Sequence, residues 1–295
     1  MNKITLKQRL IEFLTNNPQT LKQIYSDFED ESPTTIRGRL NENIDKSFKR
    51  IGRGVYLAIN GAAKALIIEG DAWDVIKEFD SDSIDAIITD SGYTCLNKHY
   101  EMGTSRKRNL HKNIGFQTTD IDKPLLHEML RVLKPGGHFF TFLAADAKDT
   151  LDYNDNFIRM ARKQGFQFNK RFIWDKGRIG MGYNGRCRYE QIIFLSKGKR
   201  HMPHDLSIPD LLTHKTITPL KRIHDAQKPI ELIKDIMRFC TKKKNVILDP
   251  FGGSMSTAFA GLSLDRHTIS IEKDKKVIEK VLKTQNKDIT LNCFT

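Results

Sequence analysis

The sequence predicts an α/β fold with a smaller domain in front of it, and three observations support that prediction. Strand and helix signals alternate from Ala65 onward, which is typical of an α/β sheet. Several of the strand signals end in an acid or lead into one, including those at Asp90 and at Asp249. A glycine-rich turn, Gly252-Gly253, joins the second of these strands to a helical run, which is the arrangement that brings main chain close to a nucleotide-like ligand.

The length and the charge of the chain indicate its class of partner. Its 295 residues are enough for one domain of ordinary size plus a small one, and 39% apolar residues allow a sizeable core. The 49 lysines and arginines outnumber the 36 acidic residues, which gives a formal charge of +13. This balance favours an anionic partner, most commonly nucleic acid, although a basic surface also arises for solubility alone.

The cysteines and the apolar runs predict a cytoplasmic protein. The four cysteines form no close pair, so neither a disulfide framework nor a zinc site is expected. The amino terminus has no apolar signal-peptide core, and no run approaches the ~20 apolar residues of a membrane helix. We expect no metal and no membrane association, and the sequence leaves a homodimer open.

Residues 1–60 are predicted to form the small domain. Apolar residues recur at helical spacing from Leu6 to Leu14 and again from Leu21 to Phe28. Ser32-Pro33 has the pattern of an N-cap with proline in the first turn, and it opens a third helix. The run from Phe48 to Leu57 contains glycines in its middle and predicts a hairpin.

Three helices followed by a hairpin resemble a winged helix-turn-helix. In that family the third helix enters the DNA major groove and the wing touches the backbone. The resemblance implies that Arg37 and Arg39, which lie off the buried stripe of the third helix, face DNA. A winged helix that docks a protein or forms a dimer is the alternative.

Residues 61–295 are predicted to form the large domain. Strand signals cover Leu66–Asp71, Ile84–Thr89, His138–Leu143, Phe166–Trp174, Glu190–Ser196, Val246–Leu248 and Thr268–Glu272. Helix signals cover Trp73–Phe79, Lys123–Leu133, Asn156–Gln164, Pro229–Cys240 and a basic segment after Glu272. The strands at 166–174 and 190–196 are expected to pair antiparallel at one edge of the sheet.

Six short segments of the large domain stand in a distinctive order. They are Asp71, Asp90-Ser-Gly-Tyr93, Val132-Leu-Lys-Pro-Gly-Gly137, Trp174–Gly182 with Arg186 and Glu190, Gln227-Lys-Pro229, and Asp249-Pro-Phe-Gly-Gly-Ser254. Together they resemble the permuted beta class of DNA amino-methyltransferases, which methylate exocyclic amines of adenine or cytosine. In that class the glycine-rich turn comes near the end of the domain. The resemblance covers about Ala65 to Leu282.

The resemblance implies a Rossmann-like sheet that binds S-adenosylmethionine. The cofactor-binding residues that it implies are Asp71, Lys228, Asp249, Pro250, Phe251, Gly252, Gly253, Ser254 and Glu272. Glycines at such a turn let main chain approach the ligand without a Cβ clash. Glu272 follows Asp249 by 23 positions, a spacing that suits paired ribose hydroxyls, with a surface strand-end acid as the alternative.

The same resemblance places the catalytic tetrapeptide at Asp90, Ser91, Gly92 and Tyr93. The acceptor amine is a poor nucleophile because its lone pair delocalises into the base ring. The carboxylate of Asp90 and the main-chain carbonyl of Ser91 are expected to accept its two N–H groups. Tyr93 is expected to stack on a base rotated out of the duplex. An ordinary exit from a strand into a turn is the alternative.

Two departures from the family pattern make a weaker or unusual site an expectation. Ser91 and Gly92 replace two prolines that stiffen the catalytic turn, and Met255 stands where another glycine is usual. A positive φ at position 255 would disfavour methionine. A DNA-binding protein with lapsed catalysis is therefore the rival. Within the family, Asp at position 90 favours N6 of adenine, and N4 of cytosine stays open.

Double-stranded DNA is the implied partner, and two basic segments are its predicted contacts in the large domain. The first follows Tyr93 and contributes Lys98, Arg106, Lys107 and Arg108; the second contributes Arg178, Arg186 and Arg188. Both are expected to position phosphates, with base reading open for one arginine of the second. A solvated loop with no role is the alternative for the first.

Overall fold

A computed structural model describes most of the chain. The described residues are 4–16, 19–52, 54–59, 62–91, 120–147, 150–180, 185–218, 222, 227–283 and 289–292. Within them the strands form one sheet of three strands and one of nine. None of the helices in these ranges is long and apolar enough to cross a bilayer.

The amino-terminal unit combines three helices with a three-stranded antiparallel sheet. In chain order its elements are α1 (Leu6–Asn16), β1 (Gln19–Thr20), α2 (Leu21–Asp27), α3 (Pro33–Glu42), β2 (Phe48–Gly52) and β3 (Val55–Ala58). Ser32 accepts the N–H of Thr35 at the start of α3, and Pro33 occupies the first turn. The three helices and the hairpin agree with the prediction. β1, which pairs with β3, was missed, and the winged-helix assignment stays a prediction.

The large domain alternates strands and helices. Its elements are β4 (Ala65–Glu69), α4 (Ala72–Val75), β5 (Ile84–Thr89), α5 (Lys123–Val132), β6 (Leu133–Ala144), α6 (Leu151–Gln164), β7 (Phe166–Asp175), β8 (Tyr189–Lys197), β9 (Leu211–Thr213), α7 (Ile230–Cys240), β10 (Val246–Asp249), α8 (Ser256–Ser263), β11 (His267–Glu272), α9 (Lys275–Leu282) and β12 (Ile289–Asn292). A short 3-10 turn, Ile76–Glu78, follows α4.

The nine-stranded sheet has the order β12-β4-β11-β10-β5-β6-β8-β7-β9. The strands from β12 to β6 run parallel, and β8 runs antiparallel to both of its neighbours. Apolar side chains cover both faces of the sheet: one core cluster includes residues of α4, α5 and α6, and another includes residues of α7. Strands buried on both faces read as continuous apolar runs, which is why β5 and β10 were recognisable in the sequence.

The predicted elements are present, but several of their bounds differ. β6 begins at Leu133, ahead of the predicted His138, and the segment between these residues bulges out of its register with β5. α4 ends at Val75, and α6 begins at Leu151. β7 and β8 pair antiparallel as expected, but β9 adds a further strand outside β7, so this pair is not at the edge of the sheet.

The amino-terminal unit packs against the amino ends of the parallel strands. Ile51, Val55 and Leu57 share one buried apolar cluster with residues of the large domain. The ammonium of Lys49 bonds Asp85 at the start of β5, and the side chain of Lys49 is only 6% exposed. The unit therefore lies at the side of the sheet formed by the amino ends of the strands, opposite to the carboxyl ends of β5, β10 and β11.

Candidate active site

Three acids meet at the carboxyl edge of the parallel strands. Asp90 follows β5, Asp249 ends β10 and Glu272 ends β11, and these three strands are neighbours in the order β11-β10-β5. The hydroxyl of Thr89 donates to Oδ1 of Asp249 over 2.7 Å, which ties the two strand ends together. The acid-tipped strands, distant along the chain, thus finish side by side.

A cleft with a cavity volume of about 60 Å³ opens between these strand ends. It is lined by Ile88, Thr89, Asp90, Phe142, Lys228, Ile233, Asp249, Phe251, Gly252, Gly253, Ser254, Ser256 and Thr257. Seven of these residues belong to the sequence-predicted site: Asp90, Lys228, Asp249, Phe251, Gly252, Gly253 and Ser254. The structure therefore brings most of the described cofactor and catalytic candidates to one cavity.

The glycine-rich turn has a conformation that needs glycine. Gly253 has a φ of +47°, and the nearest atom to an added Cβ would be a carbonyl oxygen 3.9 Å away. At Gly252 an added Cβ would lie 2.8 Å from Cε of Met255 and 3.1 Å from Cβ of Ser270. Gly252 is closely packed against side chains beneath the turn, whereas Gly253 has a backbone conformation that favours glycine and has open space beside it.

Glu272 holds the turn through its carboxylate. Oε2 accepts the N–H of Gly253 over 2.8 Å, and Oε1 accepts the N–H of Asp274 over 2.8 Å. Each oxygen keeps a second lone pair, so the carboxylate can still accept ligand hydroxyls. The predicted ribose role is compatible with this geometry, and the acid also has a structural role that its spacing did not reveal.

Met255 fits a position that its residue type disfavours. Its φ is +59°, as suspected for this position, and the cost of a left-handed methionine is about 1–2 kcal/mol. Its side chain is fully buried in a cluster with Ala65, Ile67 and Ala258, and it is absent from the lining of the cleft. The methionine therefore lies under the turn and does not plug the cavity.

Asp249 is a buried acid with an unusual proton affinity. Burial raises its pKa to about 6, while the hydroxyls of Thr89 and Thr257 and the N–H of Phe251 act in the opposite direction. The nearby charge of Asp90 adds to the increase. The folded chain thus keeps an ionised carboxylate in the cleft at neutral pH against a desolvation cost.

Lys228 serves the cleft differently from the prediction. Its ammonium bonds Asp90 and lies 3.4 Å from Oε2 of Glu190, and its main-chain carbonyl accepts the hydroxyl of Ser256 over 2.8 Å. Glu190 was part of a recognised segment but was assigned no role. Its proximity to Lys228 follows from the pairing of β8 with β6, which no local sequence pattern indicates.

Asp71 and Phe251, two of the predicted cofactor residues, have structural partners. The carboxylate of Asp71 accepts the N–H of Trp73 at the start of α4, and it lies 3.8 Å from Nζ of Lys273. Asp71 follows β4, which neighbours β11, so it lies at the correct edge of the sheet, although it does not line the cleft. Pro250 forms the turn after β10. The rings of Phe251 and Trp73 pack edge to face at 5.8 Å, an aromatic contact that the sequence did not indicate.

Four of the five described arginines that are predicted to contact DNA are engaged within the chain. Arg37 bonds the hydroxyl of Tyr25, and Arg39 lies 2.9 Å from Glu42. Both belong to the amino-terminal unit, which packs at the edge away from the cleft.

The second basic segment lies at the same edge as the cleft. Arg188 donates two hydrogen bonds to the carboxylate of Asp175, and Arg186 donates one to the carbonyl of Gly180. Both precede β8, and Arg178 is exposed. The remaining predicted residues, Gly92, Tyr93, Lys98, Arg106, Lys107 and Arg108, lie outside the described residues.

Comparison with known proteins decides the family. The model of the DNA methylase family, which unites N6 and N4 methyltransferases, matches residues 84–283, more than half of the chain. The chain belongs to this DNA methylase family. YubD of Escherichia coli (strain K12), whose name calls it a methylase, is 28% identical over 209 residues, covering 70% of this chain and 83% of YubD. The type II methyltransferase M2.MboI of Moraxella bovis is 25% identical over 247 residues, covering 72% of this chain and 84% of that protein.

Solved DNA methylases share the fold. The M1.HpyAVI complex with SAM superposes with a TM-score of 0.56 at 21% identity, covering 75% of this chain and 99% of that one. The cytosine-N4-specific PvuII DNA methyltransferase superposes with a TM-score of 0.57 at 18% identity, covering 78% of this chain and 95% of that one. The predicted α/β fold and the resemblance to DNA amino-methyltransferases are therefore confirmed.

Proposed function

We propose that this methylase transfers a methyl group from S-adenosylmethionine to an exocyclic amine of a base in double-stranded DNA, at N6 of adenine. The observation that supports this most directly is the position of Asp90. Its carboxylate lines the same cleft as the glycine-rich turn, next to the end of the neighbouring strand. An acceptor for an amine and a main-chain cradle for the cofactor thus share one cavity.

The residues of the cleft fit S-adenosylmethionine. Gly253 offers main chain with open space above it, and Asp249 presents a buried negative charge for the cationic methionine part. Glu272 has lone pairs left for the ribose. When bound, the cofactor supplies an electrophilic methyl on a sulfonium, so the chain itself needs to place and polarise the acceptor.

The acceptor amine must regain nucleophilic character. We assign Asp90 to accept one N–H and the carbonyl of the buried Ser91 to accept the other, which draws the nitrogen toward a tetrahedral shape. The new N–C bond forms as the S–C bond breaks, and the electron pair of that bond stays on sulfur. The surplus proton of the amine leaves to the Asp90 carboxylate or to water.

The base must leave the duplex to reach this cleft, because an exocyclic amine inside a stack is inaccessible to an in-line methyl. Tyr93 is our candidate for stacking on the rotated base, a contact typically worth ~1–3 kcal/mol. The basic segment that includes Arg178 lies at the same edge as the cleft and is our candidate for phosphate contacts.

The choice of base rests on Asp90, because Asp at this position favours adenine within the family. A carboxylate also accepts the amine of cytosine, and one solved relative of the same fold is cytosine-N4-specific. N4 of cytosine is therefore the second candidate.

Labelled methyl transfer tests the proposal. The purified chain is incubated with methyl-labelled S-adenosylmethionine and DNA of mixed sequence, and the digested nucleosides are separated. Label in N6-methyladenine is the expected result, while label in N4-methylcytosine would move the assignment to the second candidate. No transfer by folded protein, together with no cofactor heat in calorimetry, would indicate a DNA-binding protein with lapsed catalysis.

A further inference from the structure

The ammonium of Lys228 lies in a cage of two carboxylates and two aromatic rings. It bonds Asp90 and lies 3.4 Å from Oε2 of Glu190. Its Nζ is 5.0 Å from the ring centroid of Phe142 and 5.9 Å from that of Trp174. Only 10% of the side chain is exposed. A buried ammonium needs such opposite charges and ring faces, so this lysine has few alternative positions.

Glu190 is held by a second cation on its other oxygen. Nζ of Lys176 lies 2.8 Å from Oε1 of Glu190, while Lys228 approaches Oε2. Burial alone would raise the pKa of Glu190, but the charges of Lys228 and Lys176 hold it below its usual value. The four groups therefore alternate in sign, and together they carry no net charge.

The cage connects the two halves of the site. Glu190, the second residue of β8, lies opposite the end of β6, in register with Ala144. The backbone of Lys228 is bonded by Ser256, the first residue of α8 after the glycine-rich turn. One lysine thus contacts Asp90 through its ammonium and the start of α8 through its main-chain carbonyl.

We propose that Glu190 and Lys228 are positioning residues for Asp90: Lys228 orients and keeps charged the carboxylate that accepts the amine, and Glu190 shares the ammonium so that Asp90 stays a usable proton acceptor. This inference rests on the proposed function. An ammonium bound to Asp90 alone would stabilise that carboxylate so strongly that its affinity for a proton of the amine would fall. A carboxylate with no ammonium beside it would protonate too readily, because Glu190 and Asp249 are both anionic neighbours.

Two substitutions have opposite effects on the same property. In Glu190→Gln the ammonium of Lys228 interacts with Asp90 as its one remaining carboxylate of the cage, so kcat should fall by roughly tenfold. The pH midpoint of the acid limb of the kcat profile should not increase. Lys228→Met removes the cation beside Asp90, so the pH midpoint of the acid limb should increase by about one pH unit or more. The charged groups around Asp90 include Lys228, Glu190 and Asp249, with Lys176 behind Glu190.

The experiment measures kcat, the KM for DNA and the Kd for S-adenosylmethionine from pH 5.5 to 9 in both variants. Glu128→Gln is the matched control, because Glu128 pairs with Arg131 at 2.8 Å on α5 and is absent from the lining of the cleft. Lys228→Arg should restore the acid limb. The inference predicts that Glu190→Gln lowers kcat with KM and Kd within about twofold. A kcat equal to that of the control, or an equal loss of kcat and cofactor affinity, would overturn it.

A second readout does not depend on turnover. Carbon-13 labelling of aspartate, with Asp90→Asn to assign the signal, gives the titration midpoint of the Asp90 carboxyl. Lys228→Met should raise this midpoint, and an unchanged midpoint refutes the inference even if the wild-type chain transfers no methyl. Should Glu190→Gln fail to fold, Lys176→Met replaces it: Glu190 then draws Lys228 toward itself, so a midpoint at or below the wild-type value would count against the cage.

Discussion

Strand β5 carries a buried ion cluster at each end, and the two clusters have opposite composition. At its amino end Asp85 lies between two lysines, and beyond its carboxyl end Lys228 lies between two carboxylates. Burial does not distinguish them, since the side chains of Asp85 and Asp90 are 13% and 17% exposed. The difference lies in what surrounds each cluster.

At the amino end every oxygen of the acid is used by the fold. Oδ2 of Asp85 accepts from Lys49 and from the N–H of Val246, and Oδ1 lies 2.9 Å from Nζ of Lys134. These bonds join the amino-terminal unit, β5 and β10. The carboxyl-end cluster instead borders the cleft, so a comparable electrostatic cost keeps reactive groups in place where a ligand can reach them.

The largest expected effect is on the carboxyl-end acid. Asp90→Asn should lower kcat by roughly a thousandfold, because it removes the acceptor of the amine proton. The Kd for S-adenosylmethionine should stay within about threefold. Rapid-quench turnover and calorimetry measure both quantities. An equal loss of cofactor affinity would mean that Asp90 shapes the cofactor pocket and not the chemistry.

The matched change at the other end should affect stability alone. Asp85→Asn should lower the free energy of unfolding by about 3–5 kcal/mol, because it leaves Lys49 buried without a carboxylate. Turnover per folded molecule should not change. Urea denaturation and active-site titration measure the two quantities, and a fall in kcat would show that the two ends of β5 are coupled.

The same variant has a defined dependence on pH. Burial already lowers the pKa of Lys49 to about 8 in the presence of Asp85. An amine with a depressed pKa in the folded state binds fewer protons there than in the unfolded chain, so stability rises with pH through that value. The loss caused by Asp85→Asn should therefore be smaller at pH 9 than at pH 6.5.

Asp249 tests the cost of keeping charge at the carboxyl edge. A pKa raised from 3.8 to about 6 means that the folded state binds the extra proton between these values, so stability falls as pH rises through this window. Once ionised, the carboxyl costs the fold about 3 kcal/mol. Asp249→Asn should flatten stability between pH 4 and 6 and weaken binding of S-adenosylmethionine. The free energy of unfolding is measured by urea denaturation at several pH values in this window. The same pH dependence in the variant and in the wild type would contradict the raised pKa.

The smallest effect is expected at the rim of the amino-end cluster. Lys134 is 31% exposed and Asp85 keeps Lys49, so Lys134→Met should cost about 1 kcal/mol or less. The same urea measurement applies. A loss as large as that of Asp85→Asn would mean that the three groups act as one inseparable unit.

The sequence predicted the parts of this protein whose signal is local. β5 and β10 are short, largely apolar runs; Asp90 follows the first, and Asp249 ends the second. The glycine-rich turn between β10 and α8 is also a local pattern. The sequence marked position 255 as one where a positive φ would disfavour methionine, but the burial of Met255 beneath the turn depends on β4 and α9, far away in the sequence. Long-range packing of this kind leaves no local pattern.

The ion clusters were missed for the same reason. Lys228 and Asp90 are 138 positions apart, and Lys49 and Asp85 are 36 apart. Lysines and acids are common throughout this basic chain, so no spacing singles out the pairs that meet. β9 is only three residues long and carries too few residues to show an alternation.

The shared apolar cluster of Ile51, Val55 and Leu57 has a consequence for how the protein is divided. The sequence suggests that residues 1–60 form a separate domain, yet side chains of their hairpin belong to the same buried apolar cluster as residues of the large domain. Deleting residues 1–60 would expose the apolar side chains that pack against the hairpin, and it would remove Lys49, a partner of Asp85. Heating should therefore unfold both units in a single cooperative transition. A different amino-terminal unit could replace this one only if the apolar surface of the large domain that contacts it also changed.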